Sequence, residues 1–137
     1  MAVLGQLRQI VVARARNRCE YCGLAQDGQE AAFHVDHIVP ATAGGQTEAE
    51  NLALACVSCS LRKGARQAGH DPDTGSEARL FNPRRDAWGH HLRWEGVAIV
   101  GLTPTGRATV SMLKLNRPIM LAIREEEFSR GRYPASP

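Results

Sequence analysis

Residues 34–40 read HVDHIVP, which places two histidines and an aspartate within four positions. On an extended chain, side chains alternate between faces, so His34 and Asp36 share one side and His37 breaks away from them. Three such groups can bind a cation, take up a proton, or simply decorate a hairpin. On either side of them stand Cys19-x-x-Cys22 and Cys56-x-x-Cys59. Each pair presents two thiolates at the spacing a tetrahedral zinc ion accepts. Four unrelated buried cysteines would behave as small hydrophobes. A redox pair would need only one such spacing inside a βαβ unit. Two copies of one tight spacing point instead to a structural zinc site, with Cys19, Cys22, Cys56 and Cys59 filling all four positions.

The two knuckles are 33 residues apart, Gly23 to Ala55, where a plain zinc ribbon carries roughly 15–20. Zinc would therefore clamp the base of a long loop whose closure costs chain entropy. That loop holds Asp36, His37, a glycine turn and Asn51, and Ser60, Arg62, Lys63 and Arg66 follow the second knuckle. Because Asp36 and His37 are sequence neighbours, one can hold a cation while the other faces a water molecule. That division of labour suits metal-assisted hydrolysis of a phosphodiester.

The pieces RCEYCG, FHVDHIVP, GG, NL and CVSCSLRKG, in this order, resemble the zinc-stapled form of the HNH endonucleases, which have the ββα-metal fold. The later pieces FNPRRDAW, HHLRW, GLTPTGRATV and LNRP are similar to the C-terminal extension of one bacterial branch of small HNH proteins. The resemblance implies that His37 is the general base that activates water. It implies that Asp36 binds the catalytic divalent cation, magnesium or a transition metal, and that Asn51 holds the loop so that His37 is oriented. It also implies products with a 5′-phosphate and a 3′-hydroxyl. The family places an Asn or His ligand directly after the second knuckle, and here that position is Ser60. A serine hydroxyl is a shorter and poorer neutral ligand. Three outcomes stay open: weaker activity, a ligand recruited from elsewhere, or a zinc-dependent module that binds DNA without cutting it. His34, on the face of Asp36, is the first candidate recruit.

Arg62, Lys63 and Arg66 lie at helical spacing, either on a solvated face or against phosphates. The partner implied by the resemblance is DNA, expected to be double-stranded. Few residues are available for base readout, so binding should be mostly to phosphates and weakly sequence-specific. A net charge of +3 permits such a partner without demanding it. No apolar run approaches the roughly 18 residues that would span a bilayer, and the N-terminus lacks the apolar core of a signal peptide. The expectation is a cytoplasmic protein without a membrane partner, its cysteines reduced or metal-bound.

The elements that must position these groups are short. A helix is expected over about residues 4–17, and a strand over 31–39. Residues 48–55 read as a short helix or irregular connector, and a helix continues from the second knuckle. The stretch 69–83 reads as loop, and 88–102 as two short strands. Thr103 with Pro104 opens a helix as N-cap and first-turn proline, and another helix follows Pro118. The expected fold class is α+β: a ββα-metal core stapled by four cysteines, with an N-terminal helix and a helical, short-stranded extension. The core would occupy residues 1–68 and the extension 69–137, with 129–137 a disordered tail. With aromatics at only 5% of the chain, its hydrophobic core is thin, and a metal staple would help hold it together.

Overall fold

The computed structural model describes residues 2–134. Helix α1 spans Ala2–Arg14 and ends where Arg16 and Asn17 adopt left-handed φ values of 54° and 55°. Two consecutive left-handed residues cannot continue a right-handed helix, so it stops three residues before the expected end. The first knuckle follows as a tight turn closed by Cys19 N–H to Leu24 O at 2.8 Å and Gly23 N–H to Cys19 O at 2.9 Å. Gly23 has φ +80°, and a Cβ there would meet the Trp94 ring at 3.0 Å, so the turn requires glycine on both counts.

Strand β1, His34–His37, pairs antiparallel with β2, Leu52–Ala55, in the register His34 to Ala55 and His37 to Leu52. Here the structure corrects the reading of residues 48–55. A 3-10 turn at Ala49–Asn51 leads into a strand, and Leu52, Ala53, Leu54 and Ala55 are all buried. LALA lacks alternation because both faces of β2 are covered; α1 reaches it through Arg14 Nη2, which donates to Leu52 O at 2.7 Å. Helix α2, Val57–Lys63, follows at once, capped by the Cys56 sulfur and ended at Gly64. Together β1, β2 and α2 form a ββα unit.

The rest of the chain wraps this unit. The stretch 69–83, expected to be loop, contributes to the antiparallel pair β3, Ala68–His70, and β4, Glu77–Arg79. Strands of three residues with little apolar content leave no readable pattern. This pair is held instead by fully buried Asp71, whose carboxylate accepts from Arg107 at 2.9 and 2.8 Å. A single-turn helix α3, Trp88–His91, precedes the hairpin of β5, Leu92–Glu95, and β6, Ala98–Gly101. Helix α4, Pro104–Met112, begins as expected, with Thr103 Oγ1 accepting from Gly106 N–H at 3.0 Å. Helix α5 spans Pro118–Ser129.

Two aromatic contacts tie the wrap to the first knuckle. Trp88 Nε1 donates to Tyr21 O and Tyr133 Oη to Cys22 O, both at 2.8 Å. Tyr133 is 3% exposed and stacks edge-on against Trp94. Within the expected tail, Tyr133 is anchored as a buried phenol with a carbonyl acceptor, while Ser129, Arg130, Gly131 and Pro134 are exposed. Residues 135–137, the end of the expected tail, lie outside the described residues.

Candidate active site

The cysteines converge. Their four Sγ atoms lie within 4.8 Å of one another, all buried, and Cys22 Sγ lies 3.8 Å from Cys56 Sγ. A tetrahedron with zinc–sulfur bonds of about 2.3 Å has sulfur–sulfur edges of about 3.8 Å, so the cluster is the right size for the ion. Each knuckle also turns a backbone N–H onto its first sulfur, Cys22 to Cys19 at 3.5 Å and Cys59 to Cys56 at 3.4 Å. Burial opposes a thiolate at Cys19, but hydrogen bonds from the other three cysteines outweigh it and hold that thiol well below its usual range. The same shared bonds push Cys22 and Cys59 up. Without a cation the cluster cannot carry several thiolates, whereas a divalent ion would relieve that conflict.

The ββα unit presents His34, Asp36 and His37 half-buried on β1. His37 ends the strand, and its Nε2 lies 2.8 Å from Thr47 Oγ1. The loop that carries Thr47 is held by buried Asn51. Asn51 Oδ1 accepts from Val39 N–H at 2.9 Å, and its Nδ2 donates to Val39 O at 3.0 Å and to Gln46 O at 2.9 Å. Gly45 sits inside this clamp, where a Cβ would fall 1.8 Å from Val39 O. Asn51 is thus a backbone clamp two residues from His37.

His34 and Ser60 are brought together, with Nδ1 and Oγ 2.7 Å apart across the β1–α2 interface. Among the described residues, the cysteines form the only group of three or more His, Cys, Asp or Glu side chains at metal-ligand spacing. The β1 face therefore offers one carboxylate and one imidazole, with a hydroxyl behind the imidazole. That set suits a hard cation that keeps several waters and takes further oxygens from a phosphate.

Lys63 departs from its expected place. It is 2% exposed, and its Nζ donates to Ile38 O at 3.2 Å and, at the limit of a bond, to His37 O at 3.5 Å. Helical spacing explains the correction: Cys59, Ser60 and Lys63 form the inward stripe of α2. Burial pulls the Lys63 ammonium down, and the charge of Asp36 acts in the opposite sense. Arg62 is half-buried, and Arg66, expected at helical spacing, is exposed beyond the end of α2 because Gly64 stops the helix.

Beside the Asn51 loop lies a cleft of about 820 Å³, bounded by Gly45, Asn51 and Lys63 on one side and Arg79, Arg84 and Arg85 on the other. Arg79 is paired with Asp86 and Arg84 with Glu20, leaving Arg85 exposed at the rim. Its lining excludes Asp36 and His37, so the cleft neighbours the β1 face without containing it. Sequence reasoning missed Thr47 and the inward direction of Lys63. Nothing local marks Thr47, but Lys63 stands four residues after Cys59 and seven after Cys56, which was a readable signal.

Residues 19–66 match the family model of the HNH endonucleases, a span holding both knuckles, β1, β2 and α2. This segment is thus similar to HNH endonuclease domains, and its mixed helix and antiparallel-strand fold is consistent with ββα-metal architecture. Over 113 residues the chain is 23% identical to the Septu protein PtuB of Bacillus thuringiensis, covering 81% of this chain and 41% of that relative. The chain thus spans about two fifths of the relative's length. No solved structure matches it. Among the described residues, no helix is long and apolar enough to cross a membrane.

Proposed function

We propose that this chain is a metal-dependent endonuclease that hydrolyses DNA phosphodiester bonds, with His37 as general base and Asp36 as a ligand of the catalytic cation. The observation that carries the reading is the setting of His37 at the end of β1, beside the Asn51 clamp and bonded to Thr47. When Nε2–H donates to Thr47 Oγ1, the Nδ1 lone pair is free to accept a proton from water. The resulting hydroxide attacks phosphorus as the P–O3′ bond breaks, and the leaving 3′-oxygen takes a proton from solvent, giving a 5′-phosphate and a 3′-hydroxyl. Asp36 and His34 would hold a divalent cation, which supplies charge neutralisation on the phosphate and the leaving oxygen. Ser60 orients the His34 ring through their 2.7 Å bond. Arg62 and Arg66 bind phosphates of double-stranded DNA without reading its sequence. Zinc in the cysteine knot is structural, and its thiolate ligands suit the reducing cytoplasm.

A second reading is favoured by the same serine. With Ser60 Oγ taken by His34, the usual Asn or His donor is missing, and the domain would bind DNA without cutting. Plasmid nicking in magnesium, manganese or nickel, with His37→Ala as control, separates the two. Loss of the base should slow nicking by about 10²–10⁴-fold while DNA binding persists. Equal background nicking by both proteins, with DNA still bound, would leave the binding module.

A further inference from the structure

The geometry points to Lys63 as a positioning residue that fixes the direction of His37, an inference that rests on the nuclease reading above. Burying an ammonium is costly unless its donors are satisfied. Among the described residues, the bonding partners of Lys63 are two backbone carbonyls, His37 O and Ile38 O. Both lie where β1 leaves the sheet: the ladder ends at His37–Leu52, and the next N–H, of Ile38, bonds to Asn51 O at 2.8 Å. Asn51 then takes both polar groups of Val39. Every backbone bond that holds residues 37–39 beyond the ladder therefore comes from Lys63 or Asn51.

The peptide after His37 is held from two sides, by its Ile38 N–H on Asn51 O and by the ammonium, which bonds Ile38 O and lies against His37 O. Together they fix ψ of His37 and the direction in which the imidazole leaves the backbone. Lys63 is well placed for this because α2 is not free to move. Cys56 caps the helix, Cys59 lies on its inward stripe, and the Gly64 N–H bonds back to Ser60 O at 3.0 Å. The knot thus sets the helix, the helix sets the ammonium, and the ammonium sets the end of β1. A phosphate-binding lysine would instead keep its ammonium in solvent, as Arg66 keeps its guanidinium.

The test uses the full chain with its zinc, comparing wild type with Lys63→Met, which keeps the length of the side chain and removes the charge. Three readouts are taken: nicking kinetics resolved into kcat and KM, zinc content, and the imidazole NMR signals of His37, assigned by their loss in His37→Ala. The expected result is a fall in kcat of about 10²-fold, the scale of an ångström-level misplacement. KM, its salt dependence and zinc content should hold, and the His37 signals should move while those of His70 stay. Lys63→Gln, which retains an N–H donor, should recover part of the rate. If Lys63→Met fails to hold zinc, Lys63→Gln against wild type carries the same comparison through the His37 signals. A raised KM with unchanged kcat and a shallower salt dependence would make Lys63 a phosphate contact and overturn the inference. Unmoved His37 signals would overturn it too. Wild type that nicks in no metal would remove the nuclease reading, and the His37 signals, recorded without DNA or catalytic cation, would still judge Lys63.

Discussion

Cys19, Cys22, Cys56 and Cys59 are each at most 2% exposed and delivered by two local turns, whereas His34, Asp36 and His37 are half-buried and held from outside. In the knot, each sulfur's direction follows from the three-residue span to its partner. On β1, Ser60 braces His34, Thr47 braces His37, and Asn51 and Lys63 brace the backbone between sheet and loop. A site that only has to hold an ion can close over it completely. A site that admits a phosphodiester must leave one side open and draw its order from more distant residues.

The largest effect that separates the two regions comes from the knot. Zinc-ligand bonding in small four-ligand domains is worth roughly 10–16 kcal/mol of apparent binding energy, and that energy is coupled to folding. Stripping zinc with a strong chelator, or replacing Cys22 by serine, should abolish the cooperative thermal transition followed by circular dichroism. The loss should extend to the wrap, because Cys22 O accepts from Tyr133 and Tyr21 O from Trp88. A melting curve indifferent to the chelator would mean that the core stands without its staple.

Asn51→Ala should act on the β1 side alone. It removes three bonds and leaves the N–H and carbonyl of Val39 without their side-chain partner, at a cost of about 1–3 kcal/mol. Released from the clamp, the loop should let His37 drift, slowing nicking by about 10²-fold with zinc content unchanged. If Asn51→Ala lowers the melting temperature but nicks at the wild-type rate, His37 is oriented by the strand and not by the loop.

What could be read in the sequence divides along the same line. The cysteine spacings needed no tertiary knowledge, because each pair is a local turn. Asp36, His37 and Asn51 stood out by type and order. Thr103 and Pro104 likewise announced α4, since a cap acts within one turn. What failed depended on contacts distant in sequence. LALA has no alternation because α1 and the rest of the core cover both faces of β2. The β3–β4 pair rests on the carboxylate of Asp71 meeting Arg107, a partner 36 positions away. Tyr133 belongs to a tail whose composition reads as loose, and its acceptor lies 111 positions back. Lys63 looked like a surface cation because it sits between two arginines, although its distance from the cysteines placed it inward.

The smallest predicted effect tests whether α2 has two distinct faces. Its inward stripe carries Cys59, Ser60 and Lys63, while Arg62 is half-buried on the helix and Arg66 is exposed just beyond its end, past Gly64. If the two arginines contact phosphates, Arg62→Gln and Arg66→Gln should each weaken DNA binding a few-fold on any sequence. Each should also lower the slope of log K against log salt by about one, because each releases about one fewer condensed counterion. Lys63→Met should leave that slope alone, since a buried ammonium bonded to carbonyls displaces no counterion. Fluorescence anisotropy with a short duplex at several salt concentrations measures all three. A slope unchanged in both arginine variants would move the DNA path away from α2, towards the cleft rim at Arg85. A slope lowered by Lys63→Met as well would mean that the two faces of the helix are not separate in solution.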